Sequence, residues 1–344
     1  MKYLITGGAG FIGTNFSNNL LSRGDKVIIL DNFSKKGSSL NAQWLLRRYG
    51  KNKLTVIKAD IRFDTQKLEE QVVQADIIYH LAAQTAVTTS VQNPREDFEI
   101  NAVGTFNLLE AIRKKNPKAI LVYSSTNKVY GNMQNIPITE SKTRYLYSNI
   151  NGISESNPLD LYSPYGCSKG AADQYVRDYS RIYGLSTVVF RQSCIYGPHQ
   201  FGVEDQGWVA WFVIALLLNR KITIFGNGKQ TRDVLYIDDL FSAWDLATRS
   251  IEKTKGEIFN IGGGPSNSIS IIETLSLLEK KLKKKIEISY DDWRPGDQKI
   301  FVSNNRKLID QLGWRPKTDI NFGLEKLIEW VLENKDKIEE LIDN

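Results

Sequence analysis

Through the first half of the chain, short apolar runs alternate with longer stretches in which apolar residues recur every three or four positions. The runs KYLIT, VIILD, LTVIK, DIIYHLA and AILVYSS are nearly continuous in apolar residues, the pattern of strands covered on both faces. Between them, residues 11–23, 39–49, 66–74 and 95–115 carry the period of amphipathic helices. A helix at 164–183 and the strand STVVFRQ extend the series. Strands joined by helical crossovers imply an α/β chain with a doubly wound parallel sheet.

After Gln192 the rhythm changes. Short segments (KITIF, DVLYI, EIFNIGG) mix with helices near 206–219 and 238–250, and the tail predicts helices near 270–283, 304–312 and 321–342 with a short strand, IEISY, between the first two. No linker rich in Pro, Gly or Ser separates the halves, so two interleaved domains are expected. The larger takes residues 1–192 plus about 233–261, and a smaller C-terminal α/β domain takes about 193–232 and 262–344. Residues 132–163 lack periodicity and read as a long functional loop.

Composition narrows the class. A chain of 344 residues with 41% hydrophobic and 24% charged residues reads as a soluble globular protein. Its longest apolar run, FVIALLL, is too short to span a bilayer, and no signal peptide is read at the start. Cys167 and Cys194 give no disulfide framework, so a cytoplasmic, reducing location is expected. The net charge of +6 reads as a solvated lysine surface rather than a nucleic-acid footprint, with KKLKKK at 280–285 ending a helix. Two histidines without H-x-x-x-H or C-x-x-C spacing predict no metal site.

Candidate chemistry begins at TGGAGFIG. Gly7, Gly10 and Gly13 follow the first strand directly, and Phe11 and Ile12 open a helix, an arrangement suited to a pyrophosphate at a helix N-terminus. This predicts a Rossmann-type dinucleotide domain. Asp31 ends the second strand, where a carboxylate accepts both ribose hydroxyls and repels a 2′-phosphate, so NAD is the expected cofactor. Asp60 and Ile61 are candidates beside adenine. Leu81, Ala82 and Ala83 suit close cofactor approach, whereas His80 reads as a packed residue. Asn32, Ser34, Asn101, Ser124, Ser125 and Gln192 are assigned to the same cofactor site.

Two further segments carry reactivity, STNKVYG (Ser125 to Gly131) and YGCSK (Tyr165 to Lys169). The second sets a phenol and an ammonium one helical turn apart on one face. Free tyrosine, with a pKa of about 10, is a poor base at neutral pH, but a neighbouring cation favours phenolate. Tyr165, Lys169 and the hydroxyl of Thr126 are the expected catalytic group.

These segments, with INAVGTFNLLEA, FRQSCIYGP, GNGKQTRDVLYIDD and NIGGG in the same order, resemble the extended short-chain dehydrogenase/reductases, specifically the nucleotide-sugar epimerases and dehydratases. The resemblance covers essentially the whole chain. It implies that Thr126 and Tyr165 touch the sugar and that Arg232 and Arg294 bind the nucleotide diphosphate. Gln230, in the same string as Arg232, joins the substrate set. Dehydratases of this group carry an Asp-Glu pair after the threonine; Asn127 and Lys128 stand here, so dehydration is not expected. The strings STNKVYG, SPYGCSKGAADQY, EDQGWVAWF and GNGKQTRDVL resemble the CDP-paratose (CDP-tyvelose) 2-epimerase subgroup most, which implies a CDP-hexose substrate and inversion at C2. Asn127, Lys128, Cys194, Gln206 and Trp208 are expected around that substrate. His199 departs from an expected arginine there. A homodimer or homotetramer is implied by the resemblance alone. A UDP-sugar 4-epimerase is the alternative. A dinucleotide-sensing regulator without turnover is a remote one, since this chain keeps Thr126, Tyr165 and Lys169 together.

Overall fold

The computed structural model describes residues 1–343. Strands β1 (Lys2–Thr6), β2 (Lys26–Asp31), β3 (Leu54–Lys58), β4 (Ile77–His80) and β5 (Ile120–Thr126) join strands Ser186–Gln192 and Ile258–Ile261 in one seven-stranded sheet. Its order is Ile258–Ile261, Ser186–Gln192, β5, β4, β1, β2, β3, and every pairing is parallel. Alternate residues face opposite ways, as a pleat requires. Tyr3, Ile5, Val27 and Ile29 pack with Phe16, Leu20, Leu45 and Leu240 on one face. Leu4, Ile28, Leu30 and Ile78 pack with Leu68, Leu108, Ile112 and Val176 on the other. The continuous apolar strands thus have helices on both sides.

Strand order runs outward from β1 to β2 and β3, and in the opposite direction to β4 and β5. The reversal lies between β1 and β4, which makes the carboxyl ends of these strands a crevice where helices diverge. Gly7 and Leu81 immediately follow the paired residues Thr6 and His80 there.

Differences from the sequence pattern have local causes. The stretch 95–115 is three elements: a short helix Pro94–Phe98, a π-helical turn Glu99–Val103 and a helix Gly104–Lys115, preceded by a helix Val87–Gln92. Asn101 sits in the π turn and bonds outside its own helix, to the backbone of Gln84 and to Ser168. Such turns mark places where a side chain is re-aimed. The predicted tail helix 321–342 is two, Ile320–Glu333 and Lys335–Asp343, parted at Asn334, whose amide caps Trp330 O. The 132–163 loop carries a small hairpin, Ile138–Glu140 with Tyr145–Tyr147.

The remaining strands form separate small sheets. Thr231–Tyr236 pairs in parallel with Cys194–Tyr196 and Ile300–Phe301, and antiparallel with Ser268–Ser270. Ile222–Phe225 pairs with Ile288–Asp291. Through these pairings Cys194, Arg232 and the 294–298 segment come to one side of β5's carboxyl end.

Candidate active site

The turn after β1 is shaped for a close neighbour. Gly7 has φ of +68°, and a Cβ there would stand 2.6 Å from the backbone nitrogen of Ala82; one on Gly13 would stand 2.5 Å from Gly8. Helix Phe11–Ser22 begins at Gly10 with no side-chain cap and no acid in its first turn, so its leading amides are left for an anion. Asp31 accepts from the amides of Ala9 (3.0 Å) and Phe33 (2.8 Å), which pins the turn and leaves lone pairs for hydroxyls. Burial pushes its carboxyl up, against those two hydrogen bonds.

Asn32 donates to Asp60 (2.9 Å), its oxygen holds the Ser34 amide, and Asp60 grips Arg62, which holds that carboxyl down at about 2. Ile61 lies under Gly104, where a Cβ would meet it at 2.5 Å. Leu81, Ala82 and Ala83 continue from β4 at the crevice and are half-buried. His80 is a packed residue: its nitrogens are spent on Thr6 (2.6 Å) and Thr105 (2.9 Å), and burial pulls it down to about 3. Gln192 ends its strand opposite Thr126, and its buried Nε2 has no hydrogen-bond partner. A glycine cradle, an open helix start, a carboxylate with lone pairs to spare at the end of β2 and an unpaired amide donor fit a dinucleotide.

Tyr165, Lys169 and Thr126 converge at the end of β5. Helix Ser163–Tyr183 buries Tyr165 (8% exposed) and Lys169 (4% exposed) on one face. Burial pushes the phenol up to about 12, with a hydrogen bond from Thr126 pulling the other way and Asp97 adding to the rise. Burial drops the Lys169 amine to about 7, opposed by Asp173 and Asp97. Lys169 donates to Ser124 O and lies 4.3 Å over the Tyr123 ring. In the protein alone the phenol goes up, because desolvation outweighs the hydrogen bond from Thr126. Ser125 donates to Asp173 (2.6 Å), and Asp173 holds Arg191 through two bonds of 2.9 Å. Arg191 in turn reaches the Tyr130 hydroxyl at 3.0 Å. This buried chain fixes β5's end from behind. Its signal in the sequence was an arginine inside the apolar run VVFRQ.

Around the opposite wall, the Thr126 hydroxyl accepts from the Lys128 amide, capping a short 3₁₀ turn, Asn127–Tyr130. Lys128 is not a surface lysine. Its ammonium meets Gly296 O at 3.0 Å, Asp297 lies 3.8 Å away, and burial lowers it to about 8. Asn127 bonds Gln298 (3.4 Å). Arg232 pairs with Asp297 (2.8 Å) and Gln298 O (2.6 Å). Arg294 pairs with Asp205 (2.9 Å) and lies 3.7 Å over Phe225, while Gln230 donates to Phe225 O. Trp208 donates to the Cys194 sulfur at 3.4 Å, and Gln206 accepts from Lys35 at 3.3 Å.

His199 stands apart from this group and is corrected. Its ring lies 4.2 Å from Trp44 and 5.6 Å from Trp330, Nδ1 meets Asn41 at 3.2 Å, and burial lowers it to about 4. Asn41 also donates to Ala9 O (3.2 Å), so His199 is tied through Asn41 to the glycine turn. Asp97, Asp297 and Gln298 were missed by sequence reasoning; the partners that mark them, Ser168 for Asp97, Arg232 for Asp297 and Asn127 for Gln298, lie far away in the chain. Among the described residues no cluster of His, Cys, Asp and Glu is placed to hold a metal ion.

Comparison with known proteins agrees with this geometry. The GDP-mannose 4,6 dehydratase family model matches residues 4–327. The CDP-paratose 2-epimerase of Salmonella typhi is 44% identical over 96% of this chain and 99% of its own length. A putative UDP-glucose 4-epimerase of Methanocaldococcus jannaschii is 33% identical over 96% of this chain and 98% of its own. Among solved structures, the dTDP-glucose 4,6-dehydratase of Streptomyces venezuelae with NAD bound superposes with a TM-score of 0.85 at 29% identity, covering 99% of this chain and 100% of that one. The UDP-glucuronic acid 4-epimerase of Bacillus cereus, in complex with UDP-glucuronic acid and NAD, gives 0.83 at 28% identity, covering 97% and 99%. With its glycine turn, its buried Tyr165–Lys169 pair and these matches, the chain belongs to the GDP-mannose 4,6-dehydratase family of extended short-chain dehydrogenase/reductases.

Proposed function

We propose that this chain inverts C2 of a CDP-activated hexose, turning CDP-paratose into CDP-tyvelose through a transient 2-keto sugar. One observation carries the reading: the chain is 44% identical, over 96% of its length, to a CDP-paratose 2-epimerase, and it has Asn127 and Lys128 after Thr126 rather than an acid pair. When bound, NAD would supply the hydride acceptor, positive charge, and the hydride for the return.

The chain's own residues move the proton and hold the sugar. Thr126 donates to the reacting oxygen, and Tyr165 takes the C2 hydroxyl proton as phenolate and later gives it back. A phenol pushed up to about 12 by burial releases its proton only when positive charge stands beside it. Lys169 supplies part of that charge and hydrogen-bonds the cofactor ribose. Arg232 and Arg294 keep the diphosphate anchored while the keto sugar turns over. To receive it they exchange their present carboxylates, Asp297 and Asp205, for phosphate oxygens. With no carboxylate at 127 or 128, nothing beside Thr126 is placed to drive elimination of water from the keto intermediate.

The larger domain is read as the NAD domain and the smaller as the nucleotide-sugar domain. Among the described residues no helix is long and apolar enough to cross a membrane, and two free thiols suit a reducing cytoplasm. Exposed apolar side chains on two adjacent helices support a homodimer.

The test is NMR of the products from CDP-paratose, CDP-glucose and UDP-glucose. Inversion at C2 with retention of a C2 deuterium is expected. Loss of that label to solvent would sink the hydride route. The 33% identity to a putative UDP-glucose 4-epimerase favours a second reading, and inversion at C4 would establish it instead.

A further inference from the structure

Four buried charges lie on the catalytic helix and the elements packed against it, and they are not equally paired. Asp173 is fully buried, but Arg191 meets both its oxygens at 2.9 Å and Ser125 adds a third bond. Its charge is matched. Asp97 is 1% exposed on the short helix Pro94–Phe98 and has no cation within ion-pair distance. It accepts from the Ser168 hydroxyl and from Asn101 Nδ2 (3.1 Å); burial pushes its carboxyl up, opposed by the Ser168 hydrogen bond and the Lys169 ammonium. An unpaired buried carboxylate is expensive unless a positive group nearby needs it.

Helix Ser163–Tyr183 presents Tyr165, Cys167 and Lys169, with Asp173 one turn further on. Helix Val87–Gln92 presents Ser90, which accepts from the Tyr165 amide at 3.1 Å. The π turn presents Asn101 and Glu99; Glu99 and Arg95 pair outward, as do Glu96 and Arg62. His80 is neutral, held down to about 3 by burial. The buried charge therefore balances when Asp97 and Asp173 are negative, Lys169 and Arg191 positive, and Tyr165 neutral. Ser168 ties the carboxylate to the catalytic helix between the two reacting residues, and also reaches Tyr165 O at 3.2 Å.

We propose that Asp97 is a positioning residue for the reaction: its carboxylate is the counter-charge that keeps the Tyr165–Lys169 pair holding both protons until positive charge enters the site. When bound, NAD would bring positive charge against that balance and favour the phenolate of Tyr165, whose proton would pass to solvent. This rests on the epimerase reading for its substrate, but not for its titration. It also agrees with Asp97 being the charged group that raises the phenol and one of two that support the Lys169 ammonium.

The experiment titrates tyrosinate absorbance in the NAD-bound protein, as wild type minus Tyr165→Phe, and again in the Asp97→Asn background. Removing the negative charge is expected to move the Tyr165 midpoint down by about one pH unit or more. The acid limb of kcat should move the same way, with KM for the nucleotide sugar unchanged. Ser168→Ala removes one donor yet keeps the carboxylate, and should leave the midpoint in place. If Asp97→Asn folds poorly, Asp97→Ser is equally neutral and still accepts from Asn101. A midpoint unmoved by neutralising Asp97, or moved as far by Ser168→Ala, overturns the proposal and leaves Asp97 a structural strut. A wrong substrate assignment would show separately, as no turnover by the wild type while the titration stays readable.

Discussion

Tyr165 and Lys169 illustrate how far a residue pair is decided by what covers it. In water the phenol titrates near 10 and the amine near 10.4. Here burial moves them in opposite directions, to about 12 and about 7, because both charged forms lose solvation. Tyr165→Phe is expected to lower turnover by about 10³-fold or more while the cofactor stays bound; an active variant would refute the base. Lys169 also predicts a pH dependence. Its folded value lies below the unfolded one, so the unfolded chain binds more protons between about pH 7 and 10.5. Stability therefore rises with pH across that window, by at most about 1.4 kcal/mol per unit, and the cost is constant below it. Against Lys169→Met, whose melting should lack this slope, the excess in wild type isolates the group. The spacing Tyr165–Lys169 and the position of Thr126 were legible in the sequence, because a helical turn and a strand end are local. The direction of the phenol's shift was not, since burial is a property of everything folded around it. His199 failed for the same reason: its partners, Trp44 and Trp330, come from opposite ends of the chain.

At the scale of elements, the strand ends do most of the placing. β1 ends in a turn that only glycine tolerates at position 7, where φ is positive and Ala82 stands in the way of any Cβ. Gly7→Ala is expected to weaken NAD binding by at least about tenfold, measured by cofactor retention on gel filtration, since the crowded contact forms one wall of the cradle. β5 ends against the Ser125–Asp173–Arg191–Tyr130 chain. Arg191→Met leaves Asp173 buried and unpaired, so a loss of about 3–5 kcal/mol in stability is expected from chemical denaturation. Replacing both partners by apolar residues of similar size should cost much less, and equal losses from single and double variants would contradict this account. The parallel sheet, its helices and the glycine turn could be read from periodicity alone. The division of 95–115 by a π turn could not, since it depends on Asn101 meeting Gln84 and Ser168 from elsewhere in the fold.

At the scale of the whole molecule, the catalytic helix has two sides with different tasks. Tyr165, Lys169 and Asp173 face inward, whereas Tyr175, Ile182 and Tyr183 are exposed. Phe98, Val103 and Phe106 are exposed on the neighbouring segments, and Phe106 meets Tyr175 edge-on at 6.0 Å. A contiguous apolar face on two packed helices is the kind of surface that a second copy covers with the same face across a two-fold axis. Covering it would press the helix carrying Tyr165 and Lys169 against β5 from outside, and on the dimer reading proposed above assembly would then couple to catalysis through one element. The double variant Tyr175→Glu/Ile182→Glu places two charges on that face without touching the inward side. Light scattering should then report the 39.1 kDa of one chain, with wild type at about twice that mass. Turnover should fall with assembly, through looser placement of Tyr165, and the NAD cradle around Gly7 should still bind. A wild type already at the mass of one chain, or a double variant that keeps the wild-type mass, would rule out this face as the dimer contact.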